Sequence, residues 1–157
     1  MFNDENETDN YMTPSYVWDL MIPFIPKEKQ IWECFYGDGY AGKYLTSNGF
    51  DVIHDDIDFF ENDCGEIIIS NCPFSKKREV FTRLKQLNKP FIIISSAVIL
   101  SHVWFQKLFK NEIGIIIPNH RLKYKPLISD NDKLFTAPPT WFFCHKIDKV
   151  KNNIIFL

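Results

Sequence analysis

The constraint that most narrows the fold is the alternation of short, almost wholly apolar runs with amphipathic helical stretches. The apolar runs are Ile31 to Phe35, Asp51 to His54, Glu66 to Ser70, Pro90 to Ile94 and Ile113 to Ile117. Between them lie helical patterns. Pro14 opens one with Val17, Trp18, Leu20 and Met21 on one face, Thr13 or Ser15 as its cap, and Pro23 and Pro26 at its end. A short helix carrying Tyr44 and Leu45 stops at Gly49. Lys76 to Asn88 places Val80, Phe81, Leu84 and Leu87 together, and Ala97 to Lys110 carries Val98, Trp104, Phe105 and Leu108. Continuous apolar strands separated by helices predict an α/β fold with a mostly parallel sheet covered on both faces. The end of the chain changes character. Phe135, the Pro138-Pro139 break, Trp141 to His145 and Ile154 to Leu157 predict short antiparallel strands at a C-terminal edge.

At 157 residues, 45% hydrophobic and 16% aromatic, the chain can bury one real core. Residues 1–10 are acidic and polar and read as a flexible segment, and 11–157 as one domain. The cysteines at 34, 64, 72 and 144 form no C-x-x-C pair, and only four histidines accompany them, so no metal site is expected. Reduced thiols without a signal peptide fit a cytoplasmic protein. The stretch Leu20 to Pro26 is too short to cross a membrane. Charge is unevenly spread: residues 1–66 sum to −12 and residues 67–157 to +10. The basic residues cluster at Lys76-Lys77-Arg78, at Arg83/Lys85/Lys89 and at Arg121/Lys123/Lys125. A basic half can face a polyanion, or the halves can neutralise each other in space.

Three motifs carry chemistry. Asn71-Cys72-Pro73-Phe74 follows a buried strand. The Asn71 side-chain carbonyl and the Cys72 backbone carbonyl can each accept a hydrogen bond from an amine, and Phe74 can stack on a flat ring. The same four residues also suit a plain proline turn with a core phenylalanine. The second motif, Glu33 to Gly39, joins the first strand to its helix, and Gly37, Gly39 and Gly42 have G-x-G-x-x-G spacing. Such a turn lets backbone approach a ligand, and its third glycine lets the helix pack close to the sheet. Asp38 inside it would repel a pyrophosphate, so a cationic amino-acid-like group suits it better. The third is the acidic end of the second strand. Asp55 or Asp56 can accept bonds from both hydroxyls of a ribose, Asp58 from an adenine amine, with Phe59 or Phe60 against the ring.

In this order the motifs resemble the adenine-N6 DNA methyltransferases that use S-adenosylmethionine, in particular the small enzymes of bacteriophages and large DNA viruses. Tyr11-Met12-Thr13-Pro14 resembles their N-terminal cofactor motif, and Ile31 to Gly39, with Glu33, Phe35, Gly37, Asp38 and Gly39, their Gly-rich loop. Asp55/Asp56 resembles the acidic end of strand two, Asp58-Phe59-Phe60 the adenine contact, and Asn71-Cys72-Pro73-Phe74 the catalytic Asn-Pro-Pro-Phe/Tyr. The resemblance spans roughly residues 11–125. It implies an abbreviated Rossmann-like class I methyltransferase fold, S-adenosylmethionine as cofactor, and methyl transfer to the N6 amine of adenine in DNA or, less in keeping with the family, RNA. It also implies a host-cytoplasmic location if the chain is viral.

Cys72 departs from the motif's first proline. It keeps the carbonyl and loses the fixed φ. Only two residues separate Asp55 from Asp58, so a helix and the third strand are missing, leaving about six strands. No recognition domain fits, so target choice would fall to short loops, a second copy or a partner subunit. Phosphate contacts are expected from Lys76, Lys77, Arg78, Arg121 and Lys123, with Tyr124 lining the target pocket or packing at the sheet edge. A catalytically silent relative that binds nucleic acid or protein is the alternative. A nicotinamide-dependent oxidoreductase is a further one, which would leave Asn71 to Phe74 unexplained.

Overall fold

The computed structural model describes residues 11–126, 134–136 and 138–157. The expected flexible segment at 1–10 lies outside the described residues. The elements in chain order are β1 (Tyr11–Met12), α1 (Ser15–Met21), β2 (Ile31–Trp32), α2 (Tyr40–Ser47), β3 (Val52–Ile53), β4 (Ile67–Asn71), α3 (Lys77–Leu87), β5 (Phe91–Ser96), α4 (Val103–Phe109), β6 (Gly114–Ile117), β7 (Lys123–Pro126), β8 (Phe135–Thr136), β9 (Thr140–His145) and β10 (Ile154–Phe156). The main sheet has seven strands in the order β10-β6-β9-β5-β4-β2-β3. All its neighbours pair in parallel except β9, which runs antiparallel to both β5 and β6. This is a Rossmann-like α/β fold, mostly parallel, with one antiparallel strand inside the sheet. Among the described residues β3 is the edge strand, so the sheet is abbreviated on that side as the spacing of Asp55 and Asp58 predicts, but it has seven strands where about six were expected. The reversed strand lies inside the C-terminal part of the sheet, and Ile154–Phe156, expected antiparallel, pairs parallel with β6. A second sheet, β1-β7-β8, is antiparallel and ties the N-terminal strand to the segment after β6.

Strand β4 is buried along Ile67 to Ser70 and β5 along Phe91 to Ser95, as sheet centre strands covered on both faces must be. One core gathers Val17, Trp18, Met21 and Leu45 with Ile67, Ile69, Ile92 and Ile94. The other gathers Val80, Phe81, Leu84, Phe105 and Phe109 with Ile68, Phe91 and Ile93. The period of two along each strand divides the side chains between these layers.

Local differences have local causes. Neither Thr13 nor Ser15 caps α1; Pro14 occupies the cap position and Thr13 is used elsewhere. The expected helix from Ala97 breaks at His102, whose backbone is extended (φ −83°, ψ 127°), leaving a 3₁₀ turn over Ala97–Ser101 before α4. The Ser96 hydroxyl caps that turn by accepting from the Val98 N–H. Among the described helices none is long and apolar enough to span a membrane.

Gly42 does what its spacing predicts. A Cβ there would come within 2.2 Å of His54 Cβ and Cγ, so α2 lies against the end of β3 only because position 42 has no side chain. Gly42→Ala is expected to cost about 1–3 kcal/mol through overpacking. Urea unfolding of the two proteins measures it; an unchanged midpoint would show that the helix can move away freely.

Candidate functional site

The candidate site sits beyond the carboxyl ends of β2 and β4, where open α/β sheets bind their ligands. The chain leaves β4 at Asn71. The Cys72 N–H donates to the Ile94 carbonyl at 3.0 Å, so the sheet ladder still holds the loop one residue past the strand. The Asn71 side chain is oriented from outside that loop. Its Nδ2 donates to Thr13 Oγ1 at 2.8 Å, and its Oδ1 is buried with no partner. Thr13 is held in turn by Trp18, whose indole Nε1 donates to the Thr13 carbonyl at 3.2 Å. Asn71 also borders a cavity of about 160 Å³ whose wall includes Thr13, Glu33, Phe35, Pro73 and Phe74. Phe74 meets Tyr124 edge-on, ring centroids 6.5 Å apart and planes at 88°. The Cys72 side chain is buried in the core cluster, and Cys72 is also among the residues that border the cavity.

Glu33 is the second polar anchor. It is 1% exposed. Its Oε1 accepts from the Ser70 hydroxyl and from the Phe35 N–H at 3.4 Å, while Oε2 is buried and unpartnered. Burial pushes its carboxyl up to about 7, partly offset by the bonds from Ser70 and Phe35. Burial, with Glu33 and Cys72 nearby, also holds the Cys34 thiol well above its ordinary range. Two residues that border one cavity, Asn71 and Glu33, thus each carry a buried oxygen without a partner, Oδ1 and Oε2. Each costs about 1–3 kcal/mol while unpaired, which a ligand with N–H donors would recover.

The glycine turn corrects one expectation. Gly37 (φ 57°) borders the cavity and has open space where a Cβ would stand. Gly39 (φ 79°) is buried, and a Cβ there would meet the Tyr36 hydroxyl at 2.9 Å and its ring at 3.0 Å. Close approach to a ligand is therefore possible at Gly37, whereas Gly39 accommodates Tyr36. Asp38 also lines the cavity, but one of its oxygens accepts from the Tyr40 N–H at 2.9 Å and caps α2.

A second cavity of about 550 Å³ shares Phe35, Tyr36, Gly37 and Pro73 with the first and extends over Asp56, Asp58 and Phe60. The two together match the size of small-molecule and cofactor sites, ~300–1,000 Å³. This separates the paired alternatives. Asp56 lines the cavity and Asp55 does not. Phe59 is core, packed on Trp32 and Phe35, and forms part of the cavity floor, while Phe60 keeps 36% of its surface exposed at the rim. Asp58 Oδ1 accepts from the Phe60 N–H at 2.7 Å, shaping that turn. Tyr11 lines the first cavity beside Thr13.

The expected phosphate contacts divide. Lys76 borders the second cavity, and Arg78 is exposed beside it with Lys77 half-buried. Arg121, Lys123 and Lys125 are exposed along and just before β7. Tyr124 turns inward, fully buried, its hydroxyl 2.8 Å from Thr140 Oγ1; it backs Phe74 rather than lining the target pocket. The Arg83/Lys85/Lys89 cluster is used internally: Lys85 pairs with Glu112, Lys89 with Asp63, and Arg83 donates to the Phe59 and Asn62 carbonyls. Sequence reasoning missed Ser70, Tyr36 and the Thr13–Asn71 bond. A serine at the end of an isoleucine run was the available signal for the first.

No protein-family model and no curated protein matches the chain. Among solved structures, the crystal structure of TrmN from Thermus thermophilus is similar with a TM-score of 0.41 and 9% identity, over 85% of this chain and 48% of that one. The chain thus spans about half the length of that protein.

The buried carboxyl makes stability depend on pH. Folded, Glu33 keeps its proton up to about pH 7; unfolded, it loses it near 4.5. Between these values the folded state binds more protons, so Glu33's contribution is full below pH 4.5 and fades as pH rises to 7, about 3 kcal/mol in all. Glu33→Gln should flatten that slope in urea titrations from pH 5 to 8. An identical pH profile in both proteins would refute the burial account.

Proposed function

We propose that this chain transfers a methyl group from S-adenosylmethionine to the exocyclic N6 amine of adenine in a nucleic acid, with DNA the first substrate to test. The observation that carries the reading is that Asn71 and Glu33, which border one cavity at the carboxyl end of the sheet, each hold a buried oxygen without a partner.

The donor set fits the cofactor. Glu33 Oε2 suits its ammonium group, with Asp38 and the Gly37 backbone close by; Asp56 suits the ribose hydroxyls; Asp58 and Phe60 suit the adenine. When bound, S-adenosylmethionine supplies an electrophilic methyl group on a sulfonium leaving group. The chain's own residues prepare the nucleophile. An adenine amine is weakly nucleophilic because its lone pair is delocalised into the ring. Asn71 Oδ1 and the Cys72 carbonyl would accept its two N–H bonds and turn the lone pair out of conjugation. Thr13 prepays the orientation of the amide, so the acceptor need not reorganise during reaction. Phe74, braced by Tyr124, would stack on the base. Substitution of cysteine at 72 preserves the backbone acceptor, and the bond from its N–H to Ile94 supplies restraint that a proline ring supplies otherwise.

The cationic rims support a polyanionic substrate. Lys76 borders the second cavity, Lys125 borders a neighbouring groove, and Arg78, Arg121 and Lys123 are exposed within a few residues of them in the chain.

Calorimetric titration tests the reading. The parent should bind S-adenosylmethionine and not a nicotinamide dinucleotide. Affinity should rise from pH 5.5 to 7.5 as Glu33 ionises, and Glu33→Gln should remove that rise. Asn71→Ala should retain binding. Tight nicotinamide binding, or no binding of S-adenosylmethionine, would overturn the assignment.

A further inference from the structure

The acidic arm of the site stands on a stretch of chain with no ladder of its own. From His54 to Glu66 there is neither helix nor strand, and this is the side on which the sheet is abbreviated. Five of these residues, Asp56 to Phe60, border the second cavity. Carbonyls in such a loop receive no donors from a neighbouring strand and must find them elsewhere.

Two cations from α3 and its C-terminal flank supply them. Arg83 reaches across with two nitrogens. Its Nε donates to the Phe59 carbonyl at 3.4 Å and its Nη2 to the Asn62 carbonyl at 2.9 Å. Lys89 Nζ donates to the Cys64 carbonyl at 3.2 Å and the Gly65 carbonyl at 2.6 Å, and pairs with Asp63. The two divide the loop between them: Arg83 holds the half that borders the cavity and Lys89 the half that does not. Within the first half the bonds close on one another. Asn62 Nδ2 donates to the Asp58 carbonyl at 2.9 Å, and Asp58 Oδ1 accepts from the Phe60 N–H at 2.7 Å.

Arg83 stands on a fixed post, because Val80, Phe81 and Leu84 bury the same helix in the core. It is half-buried, and among the described residues it forms no ion pair. Its planar fork spans two carbonyls three residues apart, a match that the point charge of a lysine reproduces only in part.

We infer that Arg83 is a positioning residue for the adenosine half of the cofactor. It does not border the second cavity itself. It pins the 58–62 turn so that Asp58 and Phe60 stand ready before the ligand arrives, in place of the missing helix and strand. The ligand then binds without having to order the turn. The inference deepens the methyl-transfer reading and rests on it for the identity of the ligand.

The test is calorimetry with S-adenosylhomocysteine and with 5′-methylthioadenosine, which share the adenosine half, under conditions where urea curves show each variant folded. Arg83→Gln should weaken both ligands by the same factor, about tenfold, and Arg83→Lys by about threefold. Arg83→Lys carries the comparison if Arg83→Gln does not fold. Lys89→Gln should lower the urea midpoint and leave both affinities at the parent value, which separates positioning from stability. In an Asp58→Ala background Arg83→Gln should cost less than about twofold more, because both residues act through one turn. Parent-like affinity in both Arg83 variants would overturn the inference and leave the methyl-transfer reading standing. An equal loss in Lys89→Gln, or a fully additive loss in the double variant, would overturn it too. A parent that binds neither compound would overturn the cofactor reading itself, and the role of Arg83 with it.

Discussion

The hydrogen bond from Asn71 Nδ2 to Thr13 Oγ1 is the interaction on which the site depends. An asparagine amide can present either end to a cavity. Here one end is committed to a threonine that is itself held by Trp18, from an element 58 residues away in sequence. Only the oxygen remains to face a ligand, and it is buried without a partner. The cost of that orphan is borne by the fold around it: β4 carries Asn71 at the end of its isoleucine run, and the β1–β7 pairing carries Thr13 to meet it.

The small second sheet therefore belongs to the site as much as the large one. It brings the N-terminal strand beside β7, and Tyr16 secures the junction by bonding both the N–H and the carbonyl of Lys123. Strand alternation on β7 then sorts its side chains, Tyr124 behind Phe74 and the lysines outward. On the opposite flank Glu33 is kept buried by Ser70 from the neighbouring strand, so the two polar anchors come from adjacent strands β2 and β4 and their flanks. The cavity bordered by both shares residues with an acidic arm over Asp56 and Asp58 and with a groove bordered by Asp38, Tyr40 and Lys125.

Much of this was legible in the sequence because it depends on local periodicity. The isoleucine runs gave the parallel strands, the glycine spacing gave the close packing of α2 at Gly42, and Asn71 to Phe74 gave the loop. Tertiary pairing was not legible. Nothing local says that Gly39 faces the Tyr36 ring instead of a ligand, that Asp56 and not Asp55 reaches the cavity, or that Tyr124 points inward. The last strand illustrates the limit: Ile154 to Phe156 reads as a strand from composition, but its direction follows from where the preceding turn delivers it. The charge imbalance resolves partly in space. β2 and β3, from the acidic half, form one end of the sheet, and the strands of the basic half form the rest.

The most direct measurement is tritiated methyl transfer to adenine-containing single strands by the parent, Asn71→Ala and Thr13→Val, with nucleoside analysis of the product. The account expects N6-methyladenine from the parent and none from Asn71→Ala. Thr13→Val should lose about tenfold or more in rate, because the amide is no longer held with its oxygen inward, an effect in the range of one lost orienting hydrogen bond. Full activity in Asn71→Ala, or a methylated product other than N6-methyladenine, would contradict it.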